Sequence, residues 1–309
     1  LTSIQNLFNL KNDKSTARRN EIITSRENPQ SDTVFAECLF DSIEASQNNG
    51  GAICIDKQIN IIIEKTKFVQ CSCVREGGSL YVSGAHASLF CLVIFRSHTK
   101  TSAENIGGNA FSVFDSELRM SDFVVSESWT DSRCGDSVHH VVRCSAWMKR
   151  YNISHSIDNN WGGACGDFWT PNADSLVSFA NLVNSCGWDV LITTFGGTFY
   201  SERLNIANNT DIVYAFLGTG ADHTEFRECC LFRANSLPDS GTYTLIDCFT
   251  NYAHEGATIT ETTINPFFFR RNCPLGRSLL FTQQGYSGVT TVLRIVFLVF
   301  SHFGISNVN

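Results

Sequence analysis

Gly50-Gly51-Ala52-Ile53-Cys54-Ile55-Asp56, a polar bend, Ile59-Asn60-Ile61-Ile62-Ile63-Glu64 and then Thr66-Lys67-Phe68-Val69-Gln70-Cys71 form a unit that the rest of the chain varies. The glycine pair returns at Gly77-Gly78, Gly107-Gly108, Gly162-Gly163 and Gly196-Gly197, with Gly135-Asp136 as a degenerate copy. The closing block returns as a large apolar anchor followed, in most copies after two variable residues, by Cys, Ser, Ala or Asn. Its anchors read as Leu39, Phe68, Phe95, Phe123, Ile153, Leu182, Ile206, Leu231, Phe249 and Phe269. Nine consecutive returns at a spacing of this order mark a repeat architecture.

The content of the unit decides which repeat. A helical repeat of this length needs long runs with apolar residues three and four apart. Here the recurring pieces are short and rich in β-branched or aromatic residues, such as Ile59–Ile63, Ser88–Phe95 and Leu118–Val125, bounded by Gly, Asn, Ser or Asp. Roughly 27 residues accommodate about three strands and their bends. The expectation is an all-β chain folded as a right-handed, single-stranded parallel β-helix, a solenoid of about ten coils, in which each coil buries its apolar face only against its neighbours.

Composition agrees. The 309 residues are 43% hydrophobic and 17% charged, enough for a large core and unlike a disordered chain. A formal net charge of −7 argues against nucleic acid as a partner, because phosphate contacts need clustered Lys and Arg. In chain order the reading is a polar leading segment or imperfect first coil over residues 1–30, the β-helix over 31–285, and a capping or tail segment over 286–309. No apolar h-region is present at Leu1–Asn9. The stretch Val289–Phe303 is short for a membrane span and carries Arg294, so it reads as a cap over the open end of the array.

Counting four residues from each glycine pair gives Ile53, Leu80, Ala110, Val138, Cys165 and Phe199, which should point inward. The thirteen cysteines lack the paired ligand spacing of a zinc site. A metal cluster of Cys134, His139, His140 and Cys144 is the alternative to stacked core thiols, and core thiols are the expectation. Adjacent Cys229 and Cys230 should face opposite ways along a strand. Two sequons, Asn152-Ile153-Ser154 and Asn208-Asn209-Thr210, matter only in a secreted chain. No catalytic, cofactor-binding or metal residue is assigned, and no cofactor is expected.

The Gly-Gly-Ala-Ile of Gly50–Ile53, its looser copies and the Phe-x-x-Cys/Ser blocks resemble the repeats of right-handed parallel β-helix surface proteins. These include the polymorphic outer-membrane proteins of chlamydiae and the expanded surface families of trichomonad parasites. Cys71, Ser126 and Ser156 stand where the bacterial motif has Asn, so the protist type is closer. The resemblance covers about Val34 to Asn272. It implies a non-enzymatic surface scaffold, secreted or held at the cell surface, serving in adhesion or antigenic display. The partners it implies are host-cell surface glycans or proteins, with membrane association through a missing or C-terminal segment.

The same fold resembles pectin-lyase-like enzymes that act on polysaccharide in a groove on the coils. Asn209-Thr210-Asp211 matches the first acidic motif of polygalacturonases. The Asp-Asp and Gly-His-Gly partners are missing, leaving Asp211 and Asp222 as the only pair to place across a glycosidic bond. This is the alternative function.

Overall fold

Every strand pairing among the described residues is parallel, so each segment finds its partner one repeat away rather than across a hairpin. The computed structural model describes residues 16–46, 49–100, 108–130, 138–158, 163–169, 174–183, 185–187, 190–207, 209, 215–220, 223–231, 241–250 and 257–264. No helix occurs among them, and none is therefore long and apolar enough to cross a membrane. The strands stack into a β-solenoid with three sheets.

The widest sheet runs through pairs of short strands such as Thr33–Ala36 with Leu39–Asp41 and Asn60–Glu64 with Lys67–Val69. These merge into bent ten-residue strands at His86–Phe95, Glu117–Ser126 and Ser145–Ser154. It continues through Asp174–Ser178, Thr198–Glu202 and His223–Arg227 to Gly241–Thr250 and Ala257–Ile264. A narrow sheet stacks two-residue strands, among them Ser72–Cys73, His98–Thr99 and Trp129–Thr130. The third sheet includes Ile53–Ile55, Leu80–Ser83, Phe111–Phe114 and His139–Val142.

The corners explain how one chain turns so sharply and still stacks. Glu37, Lys65, Cys91, Asp122, Arg150, Phe179, Arg203 and Glu228 all have φ between 47° and 58° and sit at the bend of the widest sheet. Ser42, Gln70, Arg96, Glu127 and His155 do the same at the next corner. A left-handed residue other than glycine costs about 1–2 kcal/mol. The lattice offsets that cost by using the corner amide: Glu37 N donates to Glu64 O at 3.0 Å, Lys65 N to Phe90 O at 2.9 Å and Gln70 N to Phe95 O at 2.9 Å. Hydrogen bonding thus continues around the bend instead of stopping at it.

Charged corner side chains add lateral ties. Lys65 Nζ lies 3.0 Å from Glu37 Oε1, and Arg203 Nε lies 2.7 Å from Glu228 Oε2. Arg143 and Arg150 each hold a carboxylate one repeat back in fork geometry, Asp115 at 2.6 and 2.7 Å, and Asp122 through Nη2 at 2.6 Å and through Nε. Hydrogen bonds from these arginines hold both aspartates below the usual carboxylate range. A depressed carboxylate contributes stability above its unfolded pKa of about 3.9 and loses it as pH falls through the folded value. Acid titration below about pH 4 should therefore lower the melting temperature, and Asp115→Asn/Asp122→Asn should flatten that limb. The effect should be modest and salt-sensitive because both pairs are largely solvent-exposed. An acid limb unchanged in the double variant would sink the assignment.

The core consists of inward columns at the strand spacing of about 4.8 Å. One runs Phe40, Phe68, Ile94, Val125, Ile153, Leu182, Ile206 and Leu231, all buried, with the rings of Phe40 and Phe68 stacked at 4.9 Å. This corrects four of the anchors. Leu39 and Phe95 are half-buried and face outward, and Phe40 and Ile94 take their places. Phe123 is buried but follows the corner residue Asp122, in a different column with Leu92 and Tyr151. Phe249 pairs with Cys230 rather than with Leu231. Phe269 and residues 286–309 lie outside the described residues.

The glycine pairs also shift. Gly50, Gly77 and Gly108 are equivalent positive-φ corners, so Ile53 and Leu80 align with Phe111 and His139, one residue beyond Ala110 and Val138. Gly196-Gly197 open a strand of the widest sheet, where Phe199 pairs with Ser175.

Candidate binding face

The histidines that suggested a metal site diverge. His139 points inward, stacks 5.3 Å from Phe111 and meets the Tyr151 hydroxyl through Nδ1 at 2.5 Å. Burial pushes its pKa down to about 3, so it is neutral at ordinary pH. His140, next along the strand, faces the other way and packs its edge against Phe114 at 5.2 Å. The Cys144 thiol donates to Val142 O at 3.1 Å, and burial pushes it up to about 12. Cys134 lies outside the described residues, and no trio of metal-type ligands occurs among those described.

Five of the eight described free thiols instead follow the corner rule. Cys38, Cys71, Cys144, Cys229 and Cys248 each come directly after a left-handed residue, where other repeats have Thr66, Ser97, Ser116, Ser128 or Ser156. Cys229 Sγ donates to Arg227 O at 3.2 Å and accepts from Leu204 N at 3.4 Å; Ser116 Oγ donates to Phe114 O at 2.6 Å and accepts from Ala85 N at 3.1 Å. Thiol and hydroxyl thus do the same job. Burial pushes Cys71 to about 11 and Cys73 to about 12, which removes them as nucleophiles. Cys229 keeps a free thiol, whereas Cys230 is disulfide-bonded.

Asn152 of the first sequon belongs to an outward asparagine ladder. Asn181 Nδ2 donates to Asn152 Oδ1 at 2.6 Å, and Asn205 Nδ2 to Asn181 Oδ1 at 3.1 Å. Such stacked amides tie neighbouring repeats together, which accounts for Asn at this column without a glycan. Asp211, Asp222 and the Asn208 sequon residue lie outside the described residues.

The chemistry best placed to meet a partner is on the outer face of the widest sheet. Arg119, Trp147, Leu176, Tyr200 and Glu225 occupy one outward column in successive repeats. Trp147 and Tyr200 are 42% and 40% exposed, unusual for large aromatics, and Leu176 between them is partly exposed. Beside them Phe179 is 37% exposed. Cations lean on these rings: Arg119 over Trp147 at 5.8 Å, and Lys149 and Arg203 against Phe179 at 5.5 and 4.9 Å. His223 sets its edge to Tyr200 at 5.8 Å.

None of these residues was singled out from the sequence, and the corner rule shows why. Alternation counted back from the inward Ile153 would put Lys149 and Trp147 inside. The left-handed Arg150 breaks the parity, so Met148 and Ala146 are inward and the tryptophan faces water. A Trp-x-Lys ahead of such a corner was the available signal.

Phe179 is the odd member of its corner series. It adopts φ 56° where neighbouring repeats place Asp122, Arg150, Arg203 and Glu228, and a bulky apolar side chain gains little there. Phe179→Asn should leave stability unchanged or raise it by up to about 1 kcal/mol, since Asn tolerates this region. Denaturant unfolding checks it, and a loss above about 1 kcal/mol would make Phe179 a packing residue.

Comparison of this chain with protein-family models, with curated proteins and with solved structures finds no match in any of the three.

Proposed function

We propose that the chain is an extended, non-enzymatic surface scaffold that adheres to host-cell surface glycans or proteins through the outer face of its widest sheet. The observation that carries the reading is the column of Trp147, Leu176 and Tyr200, presented to solvent on a hydrogen-bonded ladder. Trp, Tyr and Arg dominate binding hot spots, and the two aromatics bring large contact area at small entropic cost. A rigid lattice presents them already ordered.

The scaffold itself is read as a right-handed parallel β-helix of about ten coils. Parallel strands joined within one sheet cross over right-handedly in about 98% of cases. The succession of paired strands from Thr16–Arg19 to Ala257–Ile264 supports the length. Cell-surface or secreted placement follows from the same reading.

Binding of the labelled chain to host cells tests the function, with polysaccharide cleavage followed in the same preparation. Saturable binding without cleavage, weakened by Trp147→Ala, is expected. Depolymerisation abolished by Asp211→Asn would replace the scaffold with the polysaccharide-active enzyme.

A further inference from the structure

The spacing and charge of the exposed column say what kind of partner it fits. Trp147 and Tyr200 are separated by two strand spacings along the solenoid axis, about 10 Å, with Leu176 as an apolar floor between them. That interval is close to the length of one disaccharide in an extended β-1,4-linked glycan. Pyranose rings present apolar C–H faces that stack on aromatic rings, and two rings held at the polymer's own repeat can engage alternate sugars at once.

Charge decides between classes of glycan. The arginines of this face are occupied by neighbouring carboxylates. Arg119 bonds Glu117 at 2.8 and 3.1 Å, Arg203 bonds Glu228 at 2.7 Å, and Arg227 bonds Glu225 at 2.9 and 3.2 Å. Arg150 forks to Asp122. Lys149 leans on Phe179, and the acids Asp174 and Glu202 share the face. A surface neutralised internally offers no net attraction to a sulfated or uronate polymer. At the column's two ends Arg119 and Glu225 are each tied to a neighbour of opposite charge, so the strip between them is bounded by neutral pairs.

We infer that the Trp147–Leu176–Tyr200 column is a binding strip for an uncharged, extended β-1,4-linked glycan laid along the solenoid axis. This rests on the adhesive reading and names its ligand class. Trp147 and Tyr200 are the stacking platforms, and Phe179 borders the strip at the adjoining corner.

Calorimetric titration of the full chain with chitohexaose and cellohexaose tests the strip, with maltohexaose and a heparin oligosaccharide as comparators. At least one β-1,4-linked neutral hexamer should bind, and Trp147→Ala and Tyr200→Ala should each weaken it by about tenfold or more. Melting temperatures should stay unchanged, since both rings are exposed, and Trp147→Tyr should retain most of the affinity. Absence of binding to both neutral hexamers, a preference for heparin, or equal affinity in the alanine variants overturns the inference. Host-cell binding that persists while neither hexamer binds sinks the glycan strip alone. Loss of both sinks the adhesive function with it.

Discussion

Phe68→Ala should destabilise the protein by about 3–5 kcal/mol, the range for truncating a fully buried aromatic without collapse of the space left behind. The Phe68 side chain is fully buried, its ring stacks 4.9 Å from Phe40, and Ile94 follows it in the column. Both neighbours are fixed by parallel hydrogen bonds on either side, so the lattice has little freedom to close the cavity. In a stacked array the damage also weakens the interfaces to both neighbouring repeats. Phe95→Ala is the matched comparison. Phe95 faces outward, half-buried, with the Arg96 guanidinium 4.8 Å from its ring, and should cost no more than about 1 kcal/mol. Chemical unfolding of the two variants reads the register directly, and a cost at Phe95 equal to that at Phe68 would reverse the column assignment.

That comparison also locates what the sequence could and could not disclose. The period, the glycine corners and the recurring Cys or Ser follow from local chemistry: a glycine is needed where backbones touch, and behind many bends a small side chain hydrogen-bonds the backbone, as Cys71, Ser116 and Cys229 do. Both leave residue-type signatures at fixed spacing. Side-chain direction is different, because it depends on counting alternation through every residue of a strand. A single left-handed residue such as Asp122 or Arg150 adds a step that resets the count, and such a corner is occupied by Glu, Lys, Cys, Asp, Arg or Phe, with no compositional mark. Hence the repeat pattern places Phe68 and Ile153 inward, as the structure has them, whereas it turns Phe95 the wrong way and leaves Trp147 unmarked.

The corner rule gives those charged residues a reason as well. Each corner amide is used by the next repeat whatever the side chain, so the backbone tolerates many residue types, and the side chains are free to pair across repeats as Glu37–Lys65 and Asp122–Arg150 do. Surface ion pairs of this kind contribute little stability individually. Their stronger consequence is neutrality: opposite charges paired across repeats leave the exposed aromatics as the least compensated chemistry of the face.

The glycine corners answer to a harder constraint, which makes Gly51→Ala the second large expected effect. A Cβ at Gly51 would stand 2.0 Å from the carbonyl oxygen of Gly78 and 2.6 Å from that of Ser72, both backbone atoms held in the ladder. Gly78 repeats the situation against Asn109, at 2.2 Å. No rotamer relieves such an overlap, so adjacent repeats must separate locally and surrender hydrogen bonds such as Gly51 N to Gly77 O at 3.2 Å. The expected loss is above about 4 kcal/mol, or failure to accumulate as folded protein. Gly84 provides the control for glycine chemistry as such. It has φ 71° but open space around the added carbon, and Asp115 and Arg143 fill the equivalent corner in later repeats. Gly84→Asn should therefore cost less than about 1 kcal/mol, because asparagine visits the left-handed region readily. If Gly51→Ala proved as mild as Gly84→Asn in equilibrium unfolding, the close approach of successive repeats at this corner would be refuted, and with it the register that aligns Gly51 with Gly78.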